Sequence, residues 1–281
     1  MDEYLPLNAA PPRRSGVNHR LGFRESNVAK SFARADIATH ATAFARFAGD
    51  IVSETLWPTR CAVCDSPGEV LCSACAESLE YLDQWRACPR CGAPFGAVQC
   101  TECNAHALAK RERDDLPFSA CASAVVFTPE SGAIVRTFKD RGEIRLGAVI
   151  AQFIDRAINP SWNINVITYV PATKAARRRR GFDHAHLLAS HLAQLRSAAC
   201  TSLLEPPTTQ DQRALGRAER MRNLEGQFTA RSYAATCAKM NPHVLIVDDV
   251  FTTGSTLIGA SDALLAAGFA DVRCATFARV Y

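Results

Sequence analysis

From Ala120 onwards, the chain alternates short apolar runs with stretches of helical periodicity. Apolar runs of about 4–8 residues bounded by turn residues predict buried strands, and apolar residues at helical spacing predict helices. Strands that alternate with helices favour a parallel, doubly wound sheet, so we predict an α/β fold over residues 118–281. The predicted strands are ACASAVVF, NVITYVP, HVLIVDD and DVRCATFARV, and the predicted helices are SGAIVRTFKD, EIRLGAVIAQFIDRAI, DHAHLLASHLAQLRSA and STLIGASDALLAAG.

The earlier part of the chain lacks this alternation and divides into three segments. Residues 1–30 are rich in Pro, Arg, Asn and Ser, which predicts a flexible tail. Apolar residues at helical spacing predict an amphipathic helix over residues 31–58, ended by a proline. Residues 59–107 combine many cysteines with few large apolar side chains, so we expect a metal ion to hold this segment together. A polar stretch over residues 199–228 is long enough to be a functional loop.

Eight of the twelve cysteines form four C-x-x-C pairs between Cys61 and Cys103. Such a pair directs two thiolates at one ion across a tight turn, and Zn²⁺ takes four ligands in a tetrahedron. Four pairs therefore predict a double zinc ribbon with two closed structural sites. The spacing leaves the pairing open, because neighbouring or interleaved C-x-x-C pairs could share an ion. The predicted zinc ligands are Cys61, Cys64, Cys72, Cys75, Cys88, Cys91, Cys100 and Cys103.

Charge and hydropathy narrow the setting in which the chain works. The formal net charge of +4 falls to about zero when eight thiolates hold two divalent ions, so net charge does not argue for a nucleic-acid partner. No apolar run reaches the ~18 residues that a membrane helix needs, which predicts no membrane span. Paired cysteines without an export signal indicate a reducing compartment, and we expect the protein to be cytoplasmic.

The stretch HVLIVDDVFTTGSTL places two adjacent aspartates at the end of a predicted buried strand. The carboxyl ends of parallel strands are where α/β sheets bind ligands. The residues that follow supply hydroxyls, a glycine and the first N–H groups of a helix, which together suit a phosphate. The carboxylates would repel that phosphate, so they suit a sugar with neighbouring hydroxyls or a Mg²⁺ ion. We expect both aspartate side chains to be solvent-accessible when no ligand is bound.

The same residues, VLIVDDVFTTGSTL, resemble the phosphoribosyl-pyrophosphate (PRPP) signature of type I phosphoribosyltransferases. The resemblance implies that Asp248 and Asp249 contact the ribose hydroxyls and are the catalytic candidates. It also implies Mg²⁺-assisted displacement of pyrophosphate from C1 of PRPP, in which the site orients the ring and stabilises departing charge. The residues implied to hold the 5′-phosphate are Thr252, Thr253, Gly254, Ser255 and Thr256.

Two further stretches, VPATKAARRRRGFDHAHLLA and ERMRNLEGQF, together with the cysteine pairs resemble the ComF family over about residues 50–281. Members of this family join a zinc segment to a phosphoribosyltransferase-like domain. The resemblance implies a role in natural competence, with single-stranded DNA and a DNA-translocating helicase as partners. The chain departs from the family at Asp183 and His184, because Asn-Gln is usual after the phenylalanine.

A run of basic residues follows the predicted strand that ends at Pro171. In a parallel sheet this run would lie at the same edge as the aspartates, and arginine binds phosphate oxygens well. The run comprises Lys174 and Arg177 to Arg180, and we predict that it is a pyrophosphate loop with Lys174, Arg177 and Arg178 as the binding residues. General attraction of polyanions such as single-stranded nucleic acid is the alternative. Lys139 occupies the place of a family lysine near the pyrophosphate, and the alternative is a helix C-terminal lysine stabilised by the helix dipole.

Two functions of different classes fit these residues. One is a phosphoribosyltransferase that transfers the sugar to a base or an amine. The other is a non-catalytic adaptor that keeps the PRPP pocket as a ligand sensor. No residue stands out in the sequence as a general base, so the acceptor is left open. Turnover distinguishes the two functions, because only the enzyme would release pyrophosphate.

Overall fold

Five parallel strands form one sheet in the computed structural model of the chain. The strands are β1 (Ala120–Val126), β2 (Val166–Tyr169), β3 (Ala199–Cys200), β4 (Val244–Phe251) and β5 (Val272–Arg279). Their order across the sheet is β1-β5-β4-β2-β3. The structure describes residues 58–96, 98, 100–207 and 228–281. The predicted flexible tail, residues 1–30, and all but the last residue of the predicted amphipathic helix lie outside this part.

Helices cover both faces of the sheet. The helices of the described residues are α1 (Ser73–Glu77), α2 (Ala105–Ala109), α3 (Pro129–Lys139), α4 (Leu146–Ala157), α5 (Lys174–Arg180), α6 (His184–Arg196), α7 (Ala234–Ala238) and α8 (Ser255–Ala266), with a 3₁₀ turn at Pro160–Trp162. On one face, α3, α4 and α6 form a core with Leu245 and Val247 of β4. On the other face, α7 and α8 form a core with Val244 and Ile246. This arrangement confirms the predicted parallel, doubly wound sheet, whose strands are apolar on both sides.

Strand β4 continues through the two aspartates instead of ending at them. Its pairing with β5 runs from Val244 to Phe251 and sets Asp248 opposite Thr276. Successive residues of a strand face opposite sides of the sheet, so the alternation of the core residues extends to the acidic pair. Asp248 lies on the α8 side, and Asp249 lies on the side of α3 and α6.

The basic run forms a helix, so the predicted pyrophosphate loop is wrong in its local structure. Helix α5 spans Lys174–Arg180, and the side chain of Thr173 accepts a hydrogen bond from the Ala176 N–H at 3.1 Å at its start. Thr173 is a favourable N-cap residue, and Gly181, with φ of +80°, adopts the left-handed conformation that ends many helices. Alanine and arginine are both strong helix formers, which explains why this charged stretch is not a loop.

Short elements occur where the sequence lacked clear periodicity. Helices α1, α2 and α7 have five residues each and β3 has two, so periodicity over a longer window does not reveal them. The predicted functional loop, residues 199–228, begins with β3, and an isolated antiparallel bridge joins Leu204 to Ala230. Residues 208–227 of that loop lie outside the described part. Within the described ranges, the helices are all too short or too polar to cross a bilayer.

The cysteine-rich segment packs against the β1 edge of the sheet. Leu82 donates its N–H to the Ala124 carbonyl at 3.0 Å, and Val126 donates its N–H to the Glu80 carbonyl at 2.8 Å. The segment between the two cysteine groups therefore pairs with an edge strand that would otherwise expose unpaired backbone groups. The described residues belong to one compact unit, Pro58–Tyr281, so the cysteine segment and the sheet share a framework.

Candidate ligand cleft and metal sites

The paired cysteines form two separate groups, and each group joins neighbouring C-x-x-C pairs. The ligand atoms of each group lie within 4.8 Å of one another. Four thiolates bonded to Zn²⁺ at about 2.3 Å place their sulfurs about 3.8 Å apart. The distances of 3.7 Å between the Cys64 and Cys72 sulfurs and 3.4 Å between those of Cys91 and Cys100 fit this geometry. The groups are Cys61, Cys64, Cys72 and Cys75 (the first metal site) and Cys88, Cys91, Cys100 and Cys103 (the second metal site).

The two metal sites differ in exposure. Cys64 of the first metal site is exposed, whereas all four cysteines of the second are buried. Each site offers four sulfur ligands and leaves no coordination position for water or substrate, so both fit structural zinc ions rather than catalytic ones. The question of pairing that the sequence left open is answered in favour of neighbouring pairs.

A cleft of about 550 Å³ lies beyond the ends of β2 and β4, beside the first turn of α8. Its lining brings together three of the predicted site residues, namely Lys139, Asp248 and Thr256. A smaller pocket of about 340 Å³ lies against the same basic side chains and is lined by Lys139, Asp140, Arg141, Gly142, Arg179 and Arg180. The two spaces share one wall, which carries an excess of positive charge.

Asp249 is buried, which contradicts the expectation that both aspartates are solvent-accessible. Its carboxylate forms an ion pair with the Lys139 ammonium, and its side chain is 4% exposed. The reason is the continuation of β4, which turns Asp249 toward α3 and α6 while Asp248 faces the cleft. Lys139 is the last residue of α3, so the helix and the strand meet at this ion pair.

The surroundings of Asp249 favour its charged form. Burial alone would raise its pKa, but Lys139, His184 and hydrogen bonds from its neighbours together hold the pKa of Asp249 below its ordinary value. Burial and the Lys139 charge lower the pKa of His184 to about 4, so this imidazole is neutral at pH 7. Arg180 Nη1 lies 3.3 Å from His184 Nδ1, and since arginine only donates, Nδ1 is the accepting nitrogen.

Asp248 has the opposite electrostatic character. Burial and the adjacent Asp249 carboxylate raise the pKa of Asp248 to about 8. Its Oδ1 accepts the Asp249 N–H at 2.9 Å, and Asp249 Oδ1 accepts the Val250 N–H at 2.9 Å. One member of the pair therefore holds a proton near neutral pH. A ligand that brings a cation or hydroxyl donors to the cleft would favour the ionised form of Asp248.

The residues after β4 form a turn at the start of α8, and we call residues 252–256 the TTGST turn. Gly254 has φ of +78°, and a Cβ there would lie 2.5 Å from the Phe251 ring, so glycine is required at this position. As the N-cap residue it makes no side-chain bond to the first N–H groups of α8. Those N–H groups and the positive end of the helix dipole suit an anion. Thr253 Oγ1 lies 2.9 Å from Ser255 Oγ, which orients both hydroxyls.

Within the basic helix, the arginines that line the cleft come later than the predicted binding residues. Arg179 and Arg180 line it, whereas Lys174, Arg177 and Arg178 do not. Residues three or four apart share a helix face, which explains why the cleft is lined by Thr173, Ala176 and then Arg179 and Arg180. A helical assignment of this run would have selected the two later arginines.

Asp183, which caps a helix beside the cleft, and His184, which lines the cleft, were not among the predicted site residues. Asp183 caps α6 by accepting the His186 N–H at 3.3 Å, and it also accepts the Ala172 N–H at 3.3 Å. These bonds fix the turn that precedes the basic helix. His184 lines the cleft directly. The signal for both was their departure from the Asn-Gln that is usual in the ComF family.

Two family models match separate parts of the chain. A double zinc ribbon domain matches residues 52–110, and a phosphoribosyl transferase domain matches residues 208–280. One solved structure found in the comparison, titled as the allosteric regulatory enzyme of purine biosynthesis, has 18% sequence identity to the chain and a TM-score of 0.31. That comparison covers 47% of this chain and 24% of the enzyme chain, so the chain spans about a quarter of that enzyme's length.

Curated relatives cover most of the chain. The DNA utilization protein YhgH of Salmonella typhi is 28% identical over 230 residues, which are 77% of this chain and 95% of the relative. The competence protein ComFC of Bacillus subtilis is 26% identical over 206 residues, which are 72% of this chain and 80% of the relative. These matches confirm the resemblance to the ComF family, because the chain is a double zinc ribbon joined to a phosphoribosyltransferase domain with YhgH and ComFC as homologues.

Proposed function

We propose that the chain binds PRPP or a related ribose 5-phosphate compound in the cleft, together with Mg²⁺. One observation carries the proposal. An acidic pair, a capless helix N-terminus and a basic wall meet at the carboxyl edge of a parallel sheet, where such folds bind ligands. Each of these three features suits a different part of the same ligand.

The sugar fits the acidic end of the cleft. Asp248 faces the cleft and would accept hydrogen bonds from ribose hydroxyls or bind the Mg²⁺ ion. The next residue, Asp249, forms an ion pair with Lys139. For Asp249 to reach the same ligand, its ion pair with Lys139 must open. In that case Lys139 becomes available to the departing pyrophosphate.

The 5′-phosphate and the pyrophosphate of PRPP fit different parts of the cleft. The 5′-phosphate suits the TTGST turn, whose N–H groups and oriented hydroxyls are donors. The pyrophosphate suits the basic wall, because Lys139, Arg179 and Arg180 surround the smaller adjoining pocket. In a displacement at C1, this wall would stabilise the charge that develops on the departing pyrophosphate.

The relatives suggest the biological setting. One is named for DNA utilization and the other for competence, and these names support our proposal that the chain acts in the handling of DNA taken up by the cell. Binding of single-stranded DNA would then weaken with salt, because contacts to phosphates release counterions. A strain that lacks the protein and still takes up and recombines DNA normally would contradict this role.

The Thr253→Val variant tests the ligand assignment. Loss of the hydroxyl removes the partner of Ser255 Oγ at the turn, so the affinities for PRPP and for ribose 5-phosphate should both fall about tenfold. Inorganic pyrophosphate lacks the 5′-phosphate and should bind the variant as it binds wild type. Calorimetry with Mg²⁺ present measures all three ligands. Equal loss for pyrophosphate would contradict the assignment of the turn to the 5′-phosphate.

A further inference from the structure

Two lines of side-chain contacts connect the second metal site and the segment just after it to the TTGST turn. The connection begins at Arg279, which is the last residue of β5 and is fully buried. Its Nη1 donates to the Cys91 carbonyl at 2.6 Å, and its Nη2 lies 3.5 Å from a Glu102 carboxylate oxygen. Cys91 is a ligand of the second metal site, so this arginine contacts the site's backbone directly.

The same arginine supports the residue that shapes the turn. The guanidinium carbon of Arg279 lies 3.8 Å from the centre of the Phe251 ring, a close cation–π contact. The Cζ end of that ring fills the space that a side chain at Gly254 would need. A line of contacts therefore runs from the Cys91 carbonyl through Arg279 and Phe251 to the glycine that caps α8.

A second line of contacts leaves the segment just after the second metal site. Arg111 Nη1 donates to the Thr253 carbonyl at 2.7 Å, so it contacts the backbone of the TTGST turn directly. Arg113 forms an ion pair with Asp262 on α8. The site itself is seated on the sheet at Gly92, where a Cβ would lie 2.5 Å from the Cys121 carbonyl oxygen.

Electrostatics ties Arg279 to the metal. A buried cation needs nearby negative charge, and Glu102 is 3.5 Å away and 24% exposed. Four thiolates around one Zn²⁺ carry a net charge of −2, which supplies further compensation next to the guanidinium. The second metal site in its metal-bound form therefore supplies negative charge that stabilises the buried Arg279 guanidinium.

We propose that Arg279 and Arg111 are positioning residues through which the second metal site fixes the TTGST turn. Binding of a 5′-phosphate then depends on metal at the second site and not at the first. The identity of the ligand rests on the proposed function, whereas the control of the turn by the metal site does not. The chain offers a matched control in Arg60, which donates to the Asp65 carbonyl at 2.9 Å beside the first metal site.

The test compares Arg111→Met, Arg111→Lys and Arg60→Met by calorimetry with ribose 5-phosphate and with inorganic pyrophosphate. Arg111→Met should weaken ribose 5-phosphate about tenfold and leave pyrophosphate unchanged, because only the first ligand uses the turn. Arg111→Lys keeps a donor and should restore most of the affinity, and Arg60→Met should bind as wild type does. Equal weakening of both ligands, or no weakening, would overturn the positioning role.

Hydrogen exchange over residues 251–260 tests the inference without any ligand. Exchange should be at least about tenfold faster in Arg111→Met and Arg279→Met than in wild type, and unchanged in Arg60→Met. Cys100→Ser and Cys64→Ser should each lose one zinc ion, with faster exchange only in the Cys100 variant. If wild type fails to bind ribose 5-phosphate, the proposed function is wrong. The hydrogen-exchange results then test the positioning role of the two arginines by themselves. Unchanged exchange in both arginine variants overturns it, even if the Cys100 variant does not fold.

Discussion

At the residue scale, two adjacent aspartates of the same chemistry have opposite effects on the stability of the fold. The pKa of Asp248 is raised to about 8 in the fold, so ionising it costs stability as pH rises between its unfolded value of about 4 and 8. The pKa of Asp249 is lowered, so its charge adds stability above about pH 4, and that stability is lost as pH falls. The strand places the first carboxylate at the cleft and the second beside Lys139.

The asparagine variants of the two aspartates should therefore differ in sign. Asp248→Asn removes the cost of ionisation, so its Tm should exceed that of wild type at pH 8, and the difference should shrink toward pH 5. Asp249→Asn leaves the Lys139 ammonium without its partner, so its Tm should fall at both pH values. Each kcal/mol corresponds to about 2–4 °C in a chain of this size. Thermal melts across this pH range measure both variants, and equal shifts in the two would contradict the assignment.

At the element scale, the position of a basic residue on helix α5 determines whether its side chain lines the cleft. Helix α5 carries five basic residues, and the cleft is lined only by the last two of them among the described residues. The double variant Arg179→Ala/Arg180→Ala should weaken pyrophosphate and PRPP at least about tenfold, because charge-assisted hydrogen bonds are lost. Arg177→Ala/Arg178→Ala removes the same charge from the same helix and should have less than about a twofold effect. Equal losses in calorimetry would show general attraction of anions.

The two cysteine groups should also behave as separate elements. Purified protein should contain two zinc ions, because each group supplies four thiolates. A chelator should remove the first ion faster, since Cys64 is exposed and the second group is fully buried. Elemental analysis and a colorimetric zinc assay over time would measure both quantities. A single release phase, or protein free of metal after purification under reducing conditions, would contradict the prediction.

At the scale of the whole molecule, the sequence predicted the features that depend on apolar periodicity and on cysteine spacing. Four of the five described strands, and the four described helices of eleven or more residues, followed from apolar patterns, and the metal ligands followed from C-x-x-C spacing. The short elements and the conformation of the basic run did not, because capping by Thr173 and Gly181 is a local signal inside a charged stretch. The ion pair between Lys139 and Asp249 could not be predicted either, since it joins residues that are distant in sequence.

The contacts around the second metal site could not be predicted from the sequence either. Arg279 gives no sign in the sequence of its burial, and its partners lie near Cys91 and at Phe251. Only the packing of the double zinc ribbon on the sheet brings these residues together. The sequence therefore indicates the zinc ribbon and the phosphoribosyltransferase domain, whereas the structure shows which residues connect them.

The most direct test of the account is a calorimetric titration of the protein with PRPP and with ribose 5-phosphate at pH 8 in the presence of Mg²⁺. We expect saturable heat with both ligands in wild type. In Asp248→Asn the affinity for both should be about tenfold weaker or more, because a charged acceptor at the sugar is lost. If wild type gives no heat with either ligand, or if Asp248→Asn binds them as tightly as wild type, the cleft is not a ribose phosphate site of the kind described.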